Sequence, residues 1–341
     1  QQQEQQRQGL IQILTKLQTS TPELKLVFNR GFEVVHELAE KPAAVAIESI
    51  YAGWDPSNNR YVPVKEQDRE WLQQHIDPIR GKDIPVIAIE YLPVERREEA
   101  RKLTKKLTNE GFIPYIGTPH LDTLGISSIE VQPRRLAVLY DPREGDLTAA
   151  SGHVALGGLL EYLGYRVDYF PVDQPLPDHA MLGLYAGVIS WITSGPPVNS
   201  GAFYAWIHQR LDENIPVVFF GSMPIENAAL LERMGLRQKA AVAGKKMAID
   251  HYDGQFLGHF EAPLRALGRD LYPLFSFDEN NKVLLQLSDA DGKIYHPAVL
   301  APWGGYVLDP YVRVRTIDHT RWVLDPFTFL EQTLRLPSIP R

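Results

Sequence analysis

Two glutamates in this chain each follow a short apolar run and stand near a tyrosine: Ala46-Ile47-Glu48, with Tyr51 just beyond, and Ala88-Ile89-Glu90-Tyr91. A third run, ending at Phe28, leads into Asn29-Arg30-Gly31-Phe32-Glu33. A carboxyl group can protonate a leaving oxygen or attack an anomeric carbon, and glycoside hydrolysis generally needs two of them flanking the scissile bond. Asparagine and arginine can hydrogen-bond sugar hydroxyls or orient such a carboxyl. Tyr51, Trp54 and Tyr61 offer apolar faces to the C–H side of a sugar ring. Glu48 is thus the first candidate for a catalytic acid or nucleophile, with Glu90 its expected partner. Asn29, Arg30, Tyr51, Trp54 and Tyr91 are the expected substrate contacts. Structural alternatives stand beside these: Glu48 ion-paired with Arg30, Glu33 solvated at a helix N-terminus, and Trp54 packed on the next helix.

These side chains can act together only if regular elements bring them to one place. The runs Leu24–Phe28, Ala43–Ile47, Ile84–Ile89 and Phe112–Ile116 are short and continuously apolar, as are strands buried on both faces of a parallel sheet. Between them, Lys65–Ile79 and Val94–Asn109 carry apolar residues at helical spacing, the second stopping at Asn109-Glu110-Gly111. Alternating β and α segments imply a parallel sheet, and such sheets meet their ligands beyond the carboxyl ends of the strands. Four β/α units make half of an eight-unit barrel, which needs about 250 residues; an open four-stranded sheet is the alternative. The glutamine-rich start continues into Leu10, Ile11, Ile13, Leu14 and Leu17, spaced as a helix facing a core. Residues 1–125 are therefore expected to be the C-terminal half of a (β/α)8 TIM-type barrel, with the first half upstream.

Ile126 to Pro133 reads as a linker. Residues 134–237 are expected to form a flavodoxin-like, doubly wound α/β domain, with strands at Leu136–Tyr140, Tyr165–Phe170, Ala186–Ile192 and Pro216–Phe220. Helices are expected near Gly152–Leu163, Ser200–Glu213 and Ile225–Met234. Its strand ends at Asp141, Thr193-Ser194-Gly195 and Gly221-Ser222 are placed for a ligand. No GxGxxG or P-loop accompanies them, and Ser222 lacks the second glycine of a nucleophile elbow. A non-catalytic scaffold or binding module is expected, with nucleotide or flavin binding the rival. Residues 238–335 read as a β-rich extension packed on this domain. Hairpins are predicted at Asn280-Asn281 and Asp291-Gly292, and a helix near Pro326–Leu334 leads into a linker over Leu336–Pro340.

The formal charge of -7, without a basic run interleaved with aromatics, argues against a nucleic acid as the main partner. With no cysteine there is no disulfide, thiolate metal site or cysteine nucleophile. No apolar run is long enough to span a bilayer. His120 and Asp122 lack a third ligand at a recognisable spacing, so neither a metal nor another cofactor is expected.

Taken together, Asn29-Arg30-Gly31-Phe32-Glu33, Ala46-Ile47-Glu48-Ser49-Ile50-Tyr51-Ala52-Gly53-Trp54, Ile76-Asp77-Pro78 and Ile89-Glu90-Tyr91 resemble the endo-alpha-1,4-polygalactosaminidase family. The resemblance is to members that join such a hydrolase to a polysaccharide deacetylase. It runs on through Arg135–Asp141 and Glu161-Tyr162-Leu163-Gly164-Tyr165 to Trp322–Phe327. It implies a barrel hydrolase of alpha-1,4-linked N-acetylgalactosamine- or galactosamine-rich exopolysaccharide, periplasmic, serving Pel-type biosynthesis and biofilm. Its implied partners are the polysaccharide and other exopolysaccharide-assembly proteins. The resemblance assigns a catalytic carboxyl to Glu48 and expects a further acid on an earlier strand, upstream of this chain. The family often has Asp before Tyr where this chain has Glu90, which leaves the role of Glu90 open. A deacetylase domain is expected after the linker, but its metal-binding motif is not in these residues, so they predict neither zinc nor deacetylation. The alternative from another class is a non-catalytic carbohydrate-binding scaffold that grips its ligand with Tyr51, Trp54 and Arg30.

Overall fold

The computed structural model describes residues 2–38, 40–239, 248–256, 274–308, 313–315, 320–322 and 324–336. The expected linker from residue 337 onward lies outside them. The chain divides into two compact units, Gln1–Gln132 and Pro133–Arg341.

The first unit runs α1 (Gln2–Ser20), β1 (Val27–Asn29), α2 (Phe32–Val35), β2 (Ala44–Glu48), β3 (Ala52–Asp55), β4 (Arg60–Pro63), α3 (Glu66–Arg80), β5 (Val86–Tyr91), α4 (Arg97–Asn109), β6 (Ile113–Gly117) and β7 (Ile126–Ser127). Its sheet has the order β1-β2-β5-β6-β7. The first four strands are parallel and β7 is antiparallel to β6. The stretch after Glu48, expected as a loop, contains the hairpin β3–β4. Its turn is held by Asp55, whose carboxylate accepts from the Ser57 and Asn58 backbone N–H groups.

Register sorts the side chains of this sheet. Val45, Ile47, Val86, Ala88 and Ile116 project from one face and are buried with Leu72, Ile76 and Ile79 of α3 and Ala100 and Leu107 of α4. Each valine, leucine or isoleucine among them is worth about 1.5–3 kcal/mol on burial. The opposite face carries Val27, Asn29, Ala46, Glu48, Ile87, Ile89, Tyr91, Ile113 and Tyr115. It is only partly covered: Val27 is 54% and Ile113 48% exposed. The expectation of strands buried on both faces holds for Ala44–Ile47 of β2 and is corrected for β1 and β5, where β5 alternates buried with half-buried residues. The apolar stripe of α1 does not meet a core of this unit either, with Leu10, Ile13 and Leu17 all exposed. Polar side chains make the attachment instead: Arg7 pairs with Glu37, and Gln18 Nε2 donates to the Glu40 carbonyl at 3.1 Å.

The second unit contains β8 (Arg135–Tyr140), a single π-helical turn (His153–Gly157) leading into α5 (Gly158–Tyr162), β9 (Arg166–Pro171), β10 (Tyr185–Ile192), α6 (Ser200–Asp212), β11 (Val217–Gly221) and α7 (Ala228–Arg233). After these come β12 (Leu236–Gln238), β13 (Ala248–Tyr252), β14 (Leu274–Ser276), β15 (Lys282–Ser288), β16 (Ile294–Ala301), β17 (Gly304–Leu308), β18 (Arg313–Arg315), β19 (Thr320–Trp322) and α8 (Pro326–Thr333). One eight-stranded sheet has the order β13-β15-β16-β17-β11-β10-β8-β9. Five neighbours, β9, β8, β10, β11 and β17, are parallel. Antiparallel β16, β15 and β13 extend them. The β-rich stretch thus supplies the fifth parallel strand, β17, which its short alternating pattern did not reveal.

Asp291-Gly292 does turn β15 into β16. Asn280-Asn281 does not close a hairpin, because β14 pairs with β12 instead of β15. The buried Asn281 amide donates to the Met234 carbonyl and to Ser276 Oγ, both at 3.0 Å, and so fastens the turn to the end of α7.

His296 on β16 is 5% exposed, with its ring stacked on Phe275 and its Nδ1 accepting from the Ser276 N–H at 3.0 Å. Burial, then the nearby Lys239 charge, holds its pKa down at about 4. An unfolded chain takes up this proton near pH 6.5, so between pH 6.5 and 4 the unfolded state binds more protons and stability falls as pH falls. The loss from this group is about 3 kcal/mol across that window. Denaturant titrations of wild type and His296→Gln at pH 7 and pH 4.5 should show a smaller acid loss in the variant; equal losses would remove this account. Among the described residues no helix is long and apolar enough to cross a membrane.

Candidate active site

β1 and β2 end on the residues that carry polar chemistry, Asn29 and Glu48. Each is followed by a non-glycine residue in the left-handed region, Arg30 at φ 57° and Ser49 at φ 63°. Both still donate their backbone N–H to the neighbouring strand, Arg30 to the Ala46 carbonyl at 2.7 Å and Ser49 to the Ile89 carbonyl at 2.9 Å. The chain therefore leaves the sheet directly after the functional side chain. Such conformations cost on the order of 1–3 kcal/mol and cluster at working sites.

Glu48 sits opposite Ile89 in the β2–β5 register. Tyr91, two residues on, lies on the same face, while Glu90 faces the other way. Asn29 reaches the same point from β1. Its Nδ2 donates to Glu48 Oε1 at 3.0 Å, and the Tyr91 hydroxyl donates to Oε2 at 2.8 Å. Each carboxyl oxygen thus has one protein donor, which fixes the group at the carboxyl end of the sheet on its half-open face. The Tyr91 hydroxyl is pushed up to about 12 by burial and then by its bond to Glu48, so it remains a donor.

Glu90, the expected partner carboxyl, does not join this constellation. It is fully buried, with its carboxylate accepting from three consecutive backbone N–H groups: Ile50 at 2.7 Å, Tyr51 at 2.9 Å and Ala52 at 2.6 Å. Burial raises its pKa against the opposing pull of those donors. Both glutamates end an apolar run, but a one-residue offset in register sends them to opposite faces.

The Tyr51 side chain is engaged within the unit. Its hydroxyl donates to the Glu110 carboxylate at 2.8 Å, and the Lys106 ammonium sits 3.6 Å from its ring centroid. Burial, then the Glu110 bond, raises it to about 12. Trp54 is half-buried and packs across the hairpin on Tyr61, with ring centroids 4.9 Å apart. The Arg30 guanidinium makes no ion pair with Glu48. Beyond the ends of β5 and β6 lies a small surface cleft lined by residues that include Leu92, Pro93, Arg97, Thr118 and Leu124. The nearby Asp122 accepts from Thr118 Oγ1 at 2.7 Å, and no group of three metal-ligating side chains occurs among the described residues.

The strand ends of the second unit are occupied by one another. The Asp141 carboxylate accepts from the Arg143 N–H at 2.9 Å, from its guanidinium and from Ser194 Oγ at 3.0 Å. Glu144 accepts from the Ser194 N–H at 2.6 Å, and Ser222 Oγ donates to the Ile192 carbonyl at 2.8 Å.

No protein-family model matches this chain, and neither does any curated protein. Among solved structures it is similar to the glycoside hydrolase domain of PelA from Pseudomonas aeruginosa, at 50% sequence identity and a TM-score of 0.36. A glutamate-to-alanine variant of that domain matches at 49% identity and a TM-score of 0.35. Each match covers 36% of this chain and 49% of the other, so the chain spans about half the length of the solved domain. Agd3, described as a novel carbohydrate deacetylase, is 14% identical over 57% of this chain and 29% of its own, with a TM-score of 0.31, and supports no reading. Over the part that it shares, half of the residues of this chain are those of a glycoside hydrolase domain.

Proposed function

We propose that the first unit is the C-terminal half of a (β/α)8 glycoside hydrolase barrel and that Glu48 is its catalytic carboxyl group. The observation that carries this is the grip of Asn29 and Tyr91 on Glu48 at the carboxyl end of a parallel sheet, on the face left half open. Barrel enzymes place their chemistry at that end. The 50% identity to a glycoside hydrolase domain supports the reading. A face bearing Ala46, Ile87, Ile89 and Tyr115 is the apolar lining that a closed barrel turns inward. The second carboxyl belongs, on this reading, to a strand of the complementary half. The substrate is alpha-1,4-linked galactosamine-rich exopolysaccharide of the Pel type, processed in the periplasm with other assembly proteins. Arg30 and the half-buried Trp54–Tyr61 pair are the remaining candidates for sugar contact. The second unit, with its parallel strands in the order second, first, third, fourth, fifth, is a flavodoxin-type scaffold without chemistry of its own.

The intact protein incubated with galactosamine-rich polymer should release new reducing ends. Retention of the polymer without new ends over a long incubation would instead establish the binding scaffold. Tyr91→Phe removes one of the two donors on Glu48 while keeping the ring. A hydrogen bond to a carboxylate is worth about 1.5–3 kcal/mol, and lost from the transition state this would lower kcat by about 10–10²-fold. Unaltered steady-state kinetics would show that Tyr91 does not orient Glu48.

A further inference from the structure

We propose that Glu90 is a positioning residue that holds the turn following Glu48, an inference that rests on the catalytic reading of Glu48. The segment 50–52 leaves β2 and enters the β3–β4 hairpin, so its N–H groups face away from the β2–β5 ladder. Ile50 N–H donates to Glu90 Oε1, and the Tyr51 and Ala52 N–H groups both donate to Oε2. Consecutive amides converging in this way form an anion-binding nest. Here the anion comes from the neighbouring strand of the same sheet. A carboxylate has about four acceptor positions, and three are taken, in a side chain with no exposed surface. Glu90 therefore reaches no substrate and exchanges no proton with one.

Its leverage on Glu48 is short and covalent. Only Ser49 separates Glu48 from the clamped amides, and Ser49 is held left-handed with its N–H on the Ile89 carbonyl. Ile89 precedes Glu90 on β5, so one strand fixes the turn twice, through a main-chain carbonyl and through the adjacent carboxylate. Tyr91, next along, holds Glu48 itself from the other face. Three successive residues of β5 thus set the backbone and the side chain of the candidate catalytic group. Placement errors near 1 Å in such a group cost about 10²-fold in rate.

The test uses the intact protein with galactosamine-rich polymer. Glu90→Gln keeps the shape but sets an amide NH₂ against at least one backbone N–H. Its kcat should fall about 10²-fold at nearly constant KM, with both limbs of the pH–rate profile kept. Added azide or formate, which can stand in for a missing catalytic carboxylate, should restore Glu48→Ala and leave Glu90→Ala unrestored. Wild-type kcat in Glu90→Gln, loss of one pH limb, or rescue of Glu90→Ala would each overturn the positioning role. If the variants fail to fold, hydrogen exchange on the wild type decides. Amides 50–52 should be as protected as those of β2, and exchange at open-loop rates would overturn the proposal. Full activity in Glu48→Gln would instead bring down the catalytic reading, a separate outcome.

Discussion

Replacing Glu48 with glutamine should lower kcat on galactosamine-rich polymer by about 10²–10⁴-fold, the usual contribution of a positioned acid or base. The fold should not register the change. Glutamine has the same volume, its carbonyl can still accept from the Tyr91 hydroxyl, and the Asn29 amide can rotate to accept from the new NH₂. Stability should therefore stay within about 0.5 kcal/mol of wild type, as for substitutions that leave packing intact. KM should also move little, because the lost interaction belongs to the transition state. The combination is the diagnostic part: a purely structural glutamate would lose stability along with rate. Turnover by Glu48→Gln at the wild-type rate would sink the assignment.

The largest stability effect is expected in the second unit, at Gly304→Ala. Gly304 has φ +128°, a conformation that side chains disfavour, and sits opposite Val217 where β17 joins β11. A Cβ there would overlap the Val217 carbonyl oxygen and lie 2.6 Å from its carbonyl carbon. Both obstacles are backbone in the middle of an eight-stranded sheet, so neither can swing aside. The substitution should cost at least about 3 kcal/mol, among the large single-residue effects. For a unit of this size that is about 6–12 °C in melting temperature. Gly292→Ala is the control. It also has positive φ, at +75°, but no atom lies within 4 Å of the added Cβ, so only the conformational cost of about 1–2 kcal/mol applies. Equal losses in the two variants would show that the close approach of β17 to β11 contributes nothing.

Much of the first unit was legible because its signals are local. Each of the four parallel strands falls within three residues of its apolar run, and α3 and α4 follow their helical spacing closely. The hairpin β3–β4 was missed although Asp55-Pro56-Ser57-Asn58 is a turn sequence, since its strands are short and aromatic and look like a decorated loop. In the second unit the parallel strands β8 to β11 were readable. β17 was not, because a five-residue strand following a hairpin shows no crossover pattern of its own. Asn280-Asn281 looked like Asp291-Gly292, yet only the second closes a hairpin. The difference lies in where the buried Asn281 amide finds its acceptors, and that is a tertiary fact.

The site divides along the same line. From sequence alone, Asn29, Glu48 and Glu90-Tyr91 stand at strand ends of a parallel α/β sheet, which is where such sheets place their chemistry. That much depends on apolar runs and the polar residues that stop them, all within a few positions of chain. Which glutamate faces the candidate site depends on register between strands distant in sequence. Glu48 aligns with Ile89, so Tyr91 returns to its face and Glu90 passes to the other. A slip of one residue would exchange them. No local pattern could tell the two apart; the pairing of β2 with β5 did.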